Sequence, residues 1–421
     1  MTPEIKQRIE QIRRGEVPEG YVKKRKVVIP QQWGLPQIKD IASISSGSTP
    51  NRNNSEYWNG NIAWVTTGEL SSGHVNHTSE RITVKAVKET KMRIYPQGTL
   101  LMAMYGQGKT RGTVAILEID AAVNQACAAI TVKDGKSKFL FYQLKNSYQD
   151  IRKLSNTGNQ ENLNADIIKT YQVPWAPDEE QERISTILTT QDKVIKLKEK
   201  RLAEKQRQKK YLMQQLLTGK KRLPGFSEEW KKVKIGSFIK EIDERSTVNN
   251  QYEILSVTKN GMVFQSSHFN KQIASENNVG YKVVRRGNLA FSTMNLWMGS
   301  LDTLRICDTG IVSPAYKVFE FNQSLIVVNF AENYMKSAEM IWLYKANSEQ
   351  GASIVRRNLD LQALLNSEVA LPDISEQTAI AEVLSSADHE IDLLRQDIEQ
   401  EKQKKKALMQ LLLTGIVRVK T

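Results

Sequence analysis

Two nearly identical stretches, LMQQLLTGKKR at residues 212–222 and LMQLLLTGIVR at residues 408–418, decide how this chain is organised. They lie 196 residues apart in a chain of 421 residues. A repeat of that length is too long for a solenoid unit and matches a duplicated module of domain size. The sequence therefore predicts two half-molecules in tandem.

Each stretch ends a run in which apolar residues recur with alternating steps of four and three, the seam of a left-handed coiled coil. The expected interface residues are Ile184, Leu188, Ile195, Leu202, Leu212 and Leu216 in the first run, and Ile380, Leu384, Ile391, Ile398, Leu408 and Leu412 in the second. Pro177, Asp178 and Gln181 resemble a capping box at a helix start, whereas Gly219 and Gly415 fit the residue after a helix end. We expect one long helix at residues 177–221 and another at residues 372–421.

Polar residues interrupt both seams, so that neither is apolar throughout. They are Gln191, Lys198, Lys205 and Lys209 in the first helix, and Glu401 and Lys405 in the second. Stability must therefore come from pairing of the two helices. If the halves are related by an internal two-fold axis, the helices pack antiparallel and form a spacer of about 60 Å.

The remaining sequence predicts two globular heads, at residues 33–176 and 222–371, preceded by a segment and linker at residues 1–32. Short β-rich runs such as GTLLMAM and TVAILEI in the first head, or NLAFS and LIVVNF in the second, are separated by turns rich in Gly, Asn and Ser. A helical stretch closes each head. The expected fold class is α+β, with two mixed α/β heads, an antiparallel coiled coil of two long helices and an internal pseudo-two-fold duplication.

The bulk composition indicates a soluble multidomain protein with a polyanionic partner. The net charge is +14, and the first long helix region, residues 178–221, carries +5 while residues 372–421 carry −2. No apolar run approaches the length of a membrane span, and the first residues do not resemble a signal peptide, so we expect a cytoplasmic protein. Cys127 and Cys307 stand alone in apolar surroundings, which favours buried, inert thiols over a disulfide.

Few motifs indicate catalysis. The stretch AMYGQGKT at residues 103–110 satisfies a loose phosphate-loop pattern, but it runs into TVAILEI, a second strand rather than a helix, so we expect a hairpin or surface loop. His74 and His77 have a spacing seen in metal sites but lack further ligands nearby. No nucleophile elbow and no methyltransferase signature are found in the sequence. The residues therefore predict neither catalytic groups nor a metal site in this chain.

Several polar loops are candidates for contact with DNA: residues 46–52, 66–69, 124–125, 156–164, 258–260, 292–297 and 356–358. Each could simply be solvated, but aromatic, amide and basic side chains interleaved in two duplicated domains are the mixture that base readout requires. The lysine-rich stretch at 196–210 is either the solvated face of a coiled coil or a set of phosphate contacts. The predicted DNA-binding residues are Tyr105, Gln107, Lys109, Arg111, Asn124 and Gln125 in the first head, and Thr258, Lys259, Asn295, Trp297, Arg356 and Arg357 in the second.

This framework resembles the specificity subunit of a type I restriction–modification system. In the first half, the resemblance rests on Trp33, SGSTP at 46–50, YWNGNIAW at 57–64, PQGTLLM at 96–102, NQACAAITV at 124–132 and LNADIIKTYQVPWAPDEEQERI at 163–184. In the second half it rests on Trp230, RRGNLAFS at 285–292, VSPAYKVF at 312–319, LPDISEQTAI at 371–380 and LMQLLLTG at 408–415. The second head departs from the pattern because KEIDERSTVNNQYEILSVTKNG replaces the SGSTP and YWNGNIAW elements.

The resemblance implies a non-catalytic subunit that reads DNA. Each head, a target recognition domain, would read one half of a split target, and the two helices would fix the gap. The implied partners are double-stranded DNA, two copies of the adenine methyltransferase subunit docked on the helices, and a translocase-endonuclease subunit. S-adenosylmethionine, ATP and Mg²⁺ would then be bound by the partner subunits, with no cofactor in this chain.

Two other functions remain open from the residues alone. In an enzyme, AMYGQGKT would bind a nucleotide, and binding of ATP or GTP by the purified chain would reveal it. In a scaffold protein, the two helices would carry partner-binding heads without any affinity for DNA. Salt-dependent binding to duplex DNA distinguishes both from a DNA-recognition subunit.

Overall fold

A computed structural model describes residues 2–106, 108–154, 162–259, 261–268, 277–350 and 357–419. The chain divides into two compact units, one formed by residues 1–198 and 397–421 and the other by residues 199–396. Each unit contains one head and parts of both long helices. This division follows the expected duplication, because each unit combines the start of one long helix with the end of the other.

The first unit is built on a five-stranded sheet of order β3-β10-β7-β8-β5, a three-stranded sheet β6-β4-β9 and a hairpin β1-β2. Its elements are α1 (Pro3–Arg13), β1 (Tyr21–Lys24), β2 (Val27–Pro30), α2 (Ile38–Ile41), β3 (Ala42–Ser46), β4 (Trp58–Val65), β5 (His74–Val75), β6 (Glu80–Ile82), α3 (Val84–Thr90), β7 (Leu100–Ala103), β8 (Val114–Leu117), β9 (Ala121–Val123), β10 (Cys127–Val132), α4 (Ser137–Asn146), α5 (Tyr148–Lys153), α6 (Ala165–Thr170) and the start of α7 (Asp178–Leu216).

The second unit is built on a four-stranded sheet of order β12-β19-β16-β17, with four two-stranded sheets, β11-β22, β13-β14, β15-β18 and β20-β21, among the described residues. Its elements are β11 (Lys231–Lys234), α8 (Ile235–Phe238), β12 (Ile239–Ile242), β13 (Leu255–Thr258), β14 (Gly261–Phe264), α9 (Gln265–His268), β15 (Lys282–Arg285), β16 (Leu289–Ser292), β17 (Leu301–Thr303), β18 (Thr309–Val312), β19 (Tyr316–Phe321), α10 (Val328–Tyr334), α11 (Ala338–Ala346), β20 (Ser348–Gln350), β21 (Arg357–Leu359), α12 (Leu361–Asn366), β22 (Glu368–Leu371) and the start of α13 (Ile374–Leu412).

The head cores show how the long helices pair. In the first unit, Ile184 and Leu188 from the start of α7 share one buried cluster with Leu412 from the end of α13. In the second unit, Leu216 from the end of α7 shares a cluster with Ile380 and Leu384 from the start of α13. Within each unit the start of one helix therefore packs beside the end of the other, and the predicted antiparallel pairing is confirmed.

The polar positions in the seams form contacts across this pairing. In the first unit the contacts are Lys405 with Asp192, Gln191 Nε2 with Glu401 Oε2 at 2.6 Å, and Lys198 Nζ with Asp397 Oδ1 at 2.7 Å and Glu401 Oε1 at 2.8 Å. In the second unit they are Lys205 Nζ with Glu390 Oε2 at 2.6 Å and Lys209 Nζ with Asp388 Oδ2 at 2.7 Å. These lysines of the 196–210 stretch therefore pair with α13, and such polar contacts specify one helix register.

The predicted seam residues are largely buried. Nine of them are buried, namely Ile184, Leu188, Ile195, Leu216, Ile380, Leu384, Ile391, Ile398 and Leu412, whereas Leu202, Leu212 and Leu408 are half-buried. Leu217, Met409 and Leu413 are also buried in the shared clusters, although the four-and-three pattern did not include them. At the helix ends the head contributes neighbours, so the buried stripe becomes wider than a coiled-coil seam.

The two long helices span Asp178–Leu216 and Ile374–Leu412, so each ends before the expected limits at residues 221 and 421. Gly219 and Gly415 adopt positive φ angles of 67° and 72°, the left-handed conformation expected after a helix end. The Gln181 backbone N–H donates to the Pro177 carbonyl at 2.9 Å. Its side chain, however, donates to the carbonyl of Ala176 at 2.7 Å rather than forming a capping box. This buried amide thus ties the head to the first turn of α7.

Acid should weaken the pairing of α7 with α13. Hydrogen bonds from Lys198 and then from Gln191 lower the pKa of Glu401 from 4.5 to about 2. Because the folded-state pKa is depressed, Glu401 contributes stability that is fully present above pH 4.5 and lost as the pH falls through about 2. We expect Glu401→Gln to have a shallower loss of stability in that range, measured by chemical unfolding at successive pH values. Parallel curves for the variant and the parent chain would contradict this assignment.

Among the described helices, none is long and apolar enough to span a bilayer.

Candidate nucleic-acid interface

Several predicted loops of the first head meet at one edge of its five-stranded sheet. The register pairs Ala128 of β10 with Ser46 of β3, and Cys127 of β10 with Ala103 of β7. The end of β3, the end of β7 and the beginning of β10 therefore lie side by side. In the smaller sheet, β4 runs parallel to β9, with Val65 beside Val123. The loops at residues 47–54, 66–69, 104–106, 108–113 and 124–126 thus come together, and we call them the first edge.

Hydrogen bonds order the first edge. The Ser48 backbone N–H donates to the carbonyl of Val123 at 3.0 Å, and the Trp64 indole N–H donates to the carbonyl of Ser48 at 3.1 Å. The Thr49 hydroxyl donates to the side-chain carbonyl of Gln125. With its oxygen engaged, the exposed Gln125 amide keeps its NH₂ group as a hydrogen-bond donor.

Two residues of the predicted polar clusters have structural roles. The carboxylate of Glu69 accepts from the backbone N–H of Thr66 and from that of Ser79, each at 2.7 Å, so it is held within the protein. Arg52 pairs with Glu80, which lowers the pKa of Glu80, and its guanidinium lies 4.2 Å from the ring of Trp58. Arg52 therefore braces the loop at 47–54 rather than extending from it.

The loop between β7 and β8 differs in part from the expectation of an exposed base-reading loop. Tyr105 and Lys109 are exposed, as predicted, whereas Gln107 lies outside the described residues. Arg111 is only 7% exposed, so its side chain is not presented on the surface as we expected. The physical reason is that α5 covers this part of the loop: Arg152 donates to the carbonyls of Arg111 at 2.7 Å and Gly108 at 2.8 Å.

The geometry of the same loop tests whether AMYGQGKT could bind a nucleotide. Strand β7 pairs antiparallel with β8, with Met102 opposite Val114, so residues 103–106 and 108–110 lie between two strands of a hairpin, as expected. A phosphate loop requires a helix N-terminus after the loop. This stretch therefore lacks the geometry of a phosphate loop.

The two histidines of the predicted metal pair have ordinary polar partners, and the two cysteines are not activated. His74 Nδ1 lies 2.8 Å from Glu118 Oε1, and His77 Nδ1 lies 2.6 Å from Asn76 Oδ1. Within the described ranges, no group of three or more His, Cys, Asp or Glu residues could hold a metal ion. Burial raises the pKa of the Cys127 thiol to about 12, and the half-buried Cys307 also has a raised pKa. High thiol pKa values make both cysteines poor nucleophiles.

The second head has a corresponding edge. Strands β12 and β16 are both antiparallel to β19, with Ser292 opposite Tyr316, and β17 starts beside the end of β16, with Phe291 opposite Leu301. The loops at residues 243–251, 293–300 and 313–315 therefore lie at one side of the sheet, and we call them the second edge. They follow the same strand ends as in the first head, although their sequences differ.

Three of the predicted residues meet at the second edge. Asn295 and Trp297 belong to the loop between β16 and β17, and the Arg357 guanidinium lies 5.3 Å from the ring of Trp297. The Arg357 backbone N–H also donates to the carbonyl of Met294 at 3.3 Å. Arg356 lies outside the described residues. Residues far apart in the chain are thus brought together as an aromatic, amide and basic cluster.

Thr258 and Lys259 lie on the turn between β13 and β14. The Thr258 hydroxyl donates to the carbonyl of Gly261 at 2.9 Å, and the next backbone N–H, that of Met262, donates to Asp302 Oδ2 at 2.7 Å. Because Asp302 belongs to β17, which begins at the second edge, this turn lies next to that edge.

Asn124, a predicted residue of the first edge, is half-buried, and its backbone N–H donates to the carbonyl of Val65 at 2.9 Å.

A charged cluster at the second edge was not among the predicted sites. The Lys282 side chain is only 5% exposed, and its ammonium lies 3.4 Å from Glu241 and 3.1 Å from Asp243. Lys317 lies 2.7 Å from Glu241, and hydrogen bonds from Arg245 and Lys282 lower the pKa of Asp243. Charged residues within strand β12, IKEI followed by DER, were the available signal.

Comparison with known proteins shows that one family model matches both halves of this chain. The family model for the type I restriction modification DNA specificity domain matches twice, over residues 30–206 and 227–403. The MjaIX specificity subunit of a type I restriction enzyme from Methanocaldococcus jannaschii is 34% identical over 178 residues, which cover 41% of this chain and 40% of that relative. The MjaVIII specificity subunit from the same organism is 24% identical over 93% of this chain and 94% of its own length.

Solved structures share the fold at lower sequence identity. The S subunit of a type I restriction–modification system from M. genitalium superposes with a TM-score of 0.52 at 13% identity, over 93% of this chain and 98% of that chain. A chain from a structure concerning complex assembly and conformational transition of the type I system gives a TM-score of 0.59 at 15% identity, over 92% and 99%. With a matching domain in each half, this chain belongs to the DNA specificity family of type I restriction–modification systems.

Proposed function

We propose that this chain is the non-catalytic DNA-recognition subunit of a type I restriction–modification complex. Each head recognises one half of a bipartite target through the loops of its edge. The paired helices set a fixed distance between the two recognised half-sites. Two adenine methyltransferase subunits dock on the helices and bring S-adenosylmethionine. A restriction subunit that uses ATP and Mg²⁺ can join them.

The observation that carries this proposal is the gathering of loops at the same strand ends in both heads. The first edge presents hydroxyl, amide and aromatic groups, such as Gln125 and Tyr105. The second edge adds ion pairs such as Lys282 with Asp243. Direct readout depends on the pattern of donors and acceptors, so two edges of different chemistry favour two different half-sites.

Mapping methylated adenines across the genome, in cells with and without this chain, tests the proposed recognition. We expect a bipartite methylated sequence that appears only when the chain is present. Exchanging one head for that of a relative should change one half of this sequence and leave the other half unchanged. A methylation pattern that does not depend on the chain would contradict the proposal, as would loss of both halves after exchange of one head.

The length of the helices supports the spacing role. Each has 39 residues, which corresponds to about 58 Å at 1.5 Å per residue. Half-sites one turn apart on a duplex are separated by about 34 Å. An antiparallel pair of helices of this length is therefore long enough to bridge two consecutive major-groove faces. Insertion or removal of helical turns should change the number of unread base pairs between the half-sites.

Two exposed leucines support docking of two equivalent partners. Leu197 on α7 is 57% exposed and Leu393 on α13 is 51% exposed, and they occupy equivalent positions 196 residues apart. The outward face of a helix pair in water is normally polar. We infer that these duplicated apolar positions belong to two similar protein-binding surfaces, one for each methyltransferase subunit.

We expect Leu197→Ser combined with Leu393→Ser to weaken binding of the methyltransferase subunits without destabilising the chain. Each methyltransferase subunit loses one apolar anchor, so the affinity of each site should fall about fivefold or more, because a buried interface anchor costs over 1 kcal/mol when truncated. Co-purification and titration by calorimetry measure this effect. Tyr211→Ser is the matched control, because Tyr211 is 56% exposed on α7 but its equivalent in α13 is Ala407. Equal losses in both variants would refute this docking surface.

A further inference from the structure

A buried glutamate at the start of α7 joins the first head to the other end of the chain. Glu180 is fully buried, and its Oε2 accepts from the Trp33 indole N–H at 2.9 Å. The Arg418 guanidinium donates from Nε to Oε1 at 2.7 Å and from its terminal nitrogen to Oε2 at 2.9 Å. Both carboxylate oxygens are thus held by donors from distant parts of the chain.

The second unit repeats this arrangement. Glu376, at the start of α13, is buried and accepts from the Trp230 indole N–H at 3.1 Å. The Arg222 guanidinium donates to both oxygens of Glu376, each at 2.6 Å. The two glutamates are 196 residues apart, as are the two arginines, so the duplication has retained the whole triad. We call each set of Trp, Glu and Arg a clasp.

The two clasps differ in the origin of their arginine. Arg222 stands eight residues before Trp230, so the second clasp takes its Trp and its Arg from one short segment. In the first clasp, Arg418 is separated from Trp33 by almost the entire chain. The segment that carries Arg418 is itself fixed to the first head, because Tyr21 donates to the carbonyl of Gly415 at 2.7 Å and Gln143 donates to that of Leu413 at 2.8 Å.

A clasp of this kind fixes the head on the long helices. A buried carboxylate is unfavourable without a charged partner, and the bidentate geometry of arginine restricts the relative orientation of the groups it joins. The tryptophan belongs to the start of the head, the glutamate to one helix, and the arginine to the segment after the other helix. The orientation of the head therefore depends on both helices at once.

We propose that Arg418 and Arg222 are positioning residues for half-site recognition, each acting on one head only. Arg418 orients the first head and Arg222 orients the second, through Glu180 and Glu376. The inference rests on the proposed function, since it assumes that each edge reads one half-site. Arg418 follows the second head and α13 in the sequence, yet its substitution should impair recognition by the first head.

The test compares Arg418→Gln with Arg222→Gln in the full chain, assembled with methyltransferase subunits. The probes are duplexes carrying the methylated sequence found by genome mapping, with one half-site scrambled at a time. We expect Arg418→Gln to reduce discrimination against a scrambled half-site about tenfold for one half only, and Arg222→Gln to do so for the other half only. Arg418→Lys should fall between Arg418→Gln and the parent chain, because lysine retains the charge but not the bidentate geometry.

A purely structural role would reduce discrimination at both half-sites equally, and that outcome would overturn the proposal, as would unchanged discrimination in both variants. If Arg418→Gln does not fold, Glu180→Gln tests the same contact, because it retains the side-chain shape but removes the charge and one of the two oxygens that accept from Arg418. The proposed function fails separately, and earlier, if the parent complex does not discriminate either half-site. The two failures are therefore distinguishable.

Discussion

Replacing Gly47 with alanine should strongly reduce sequence discrimination by the first edge. A Cβ atom at this position would lie 1.8 Å from the carbonyl oxygen of Val123 and 2.6 Å from its Cγ2 atom. Because the nearest atoms are backbone, the loop itself must move. Its displacement would break the bond from Ser48 N–H to Val123 and the contact of Thr49 with Gln125. We expect preference for one half-site to fall about 10- to 100-fold.

Gly68→Ala is the matched control for this substitution. Gly68 also lies at the first edge, but its Cβ would meet only the Thr66 hydroxyl oxygen at 3.8 Å, an ordinary van der Waals distance. Competition binding with duplexes mutated in either half-site measures both variants. The other half-site should be discriminated as in the parent chain. If Gly47→Ala retained full discrimination, or lost it at both half-sites, the first edge would not be the reading surface of the first head.

Leu188→Ala should lower the free energy of unfolding by about 2–5 kcal/mol, since truncation of a fully buried leucine leaves a cavity. Leu188 is fully buried in the cluster shared by the first head, α7 and α13. Leu384→Ala, at the equivalent position of α13, should have a similar cost, because Leu384 is fully buried in the corresponding cluster of the second unit. Urea unfolding followed by circular dichroism measures these changes.

The control for the buried leucines is Leu197→Ala on the same helix. Because Leu197 is exposed, its truncation should change the free energy of unfolding by about 0.5 kcal/mol or less. Equal destabilisation by Leu188→Ala and Leu197→Ala would mean that the described pairing face is wrong. The two halves of the chain can unfold in separate steps, so the transition of each unit should be fitted on its own.

The long helices were predictable because their signals are local and periodic. The four-and-three pattern from Ile184 to Leu216 and from Ile380 to Leu412 gave their extent, and Gly219 and Gly415 marked their ends. Antiparallel pairing followed from the duplication. The polar positions at Gln191, Lys198 and Glu401 were also visible, although only the structure shows which of them meet.

The reading surfaces were predictable as a mixture of residue types but not residue by residue. Tyr105, Lys109 and Gln125 are exposed at the first edge as expected, and their contacts with DNA remain predictions. Arg111 is buried because α5 covers its loop, a packing contact that has no local sequence pattern. The charged cluster of Glu241, Asp243 and Lys282 comes from separate strands, which only the pairing of the sheets brings together.

By itself, the sequence determined the duplication and the family through repeated and matching motifs. It also determined the two helices, because hydrophobic periodicity and helix-ending glycines act over a few neighbouring residues. Only the tertiary structure decided which loops form each edge. It also decided that Arg418 completes the clasp of the first head with Trp33 and Glu180. Contacts between residues hundreds of positions apart arise from strand register and helix packing. The free energy of burying a charge such as that of Glu180 is fixed by those distant neighbours, and no local pattern of residues encodes them.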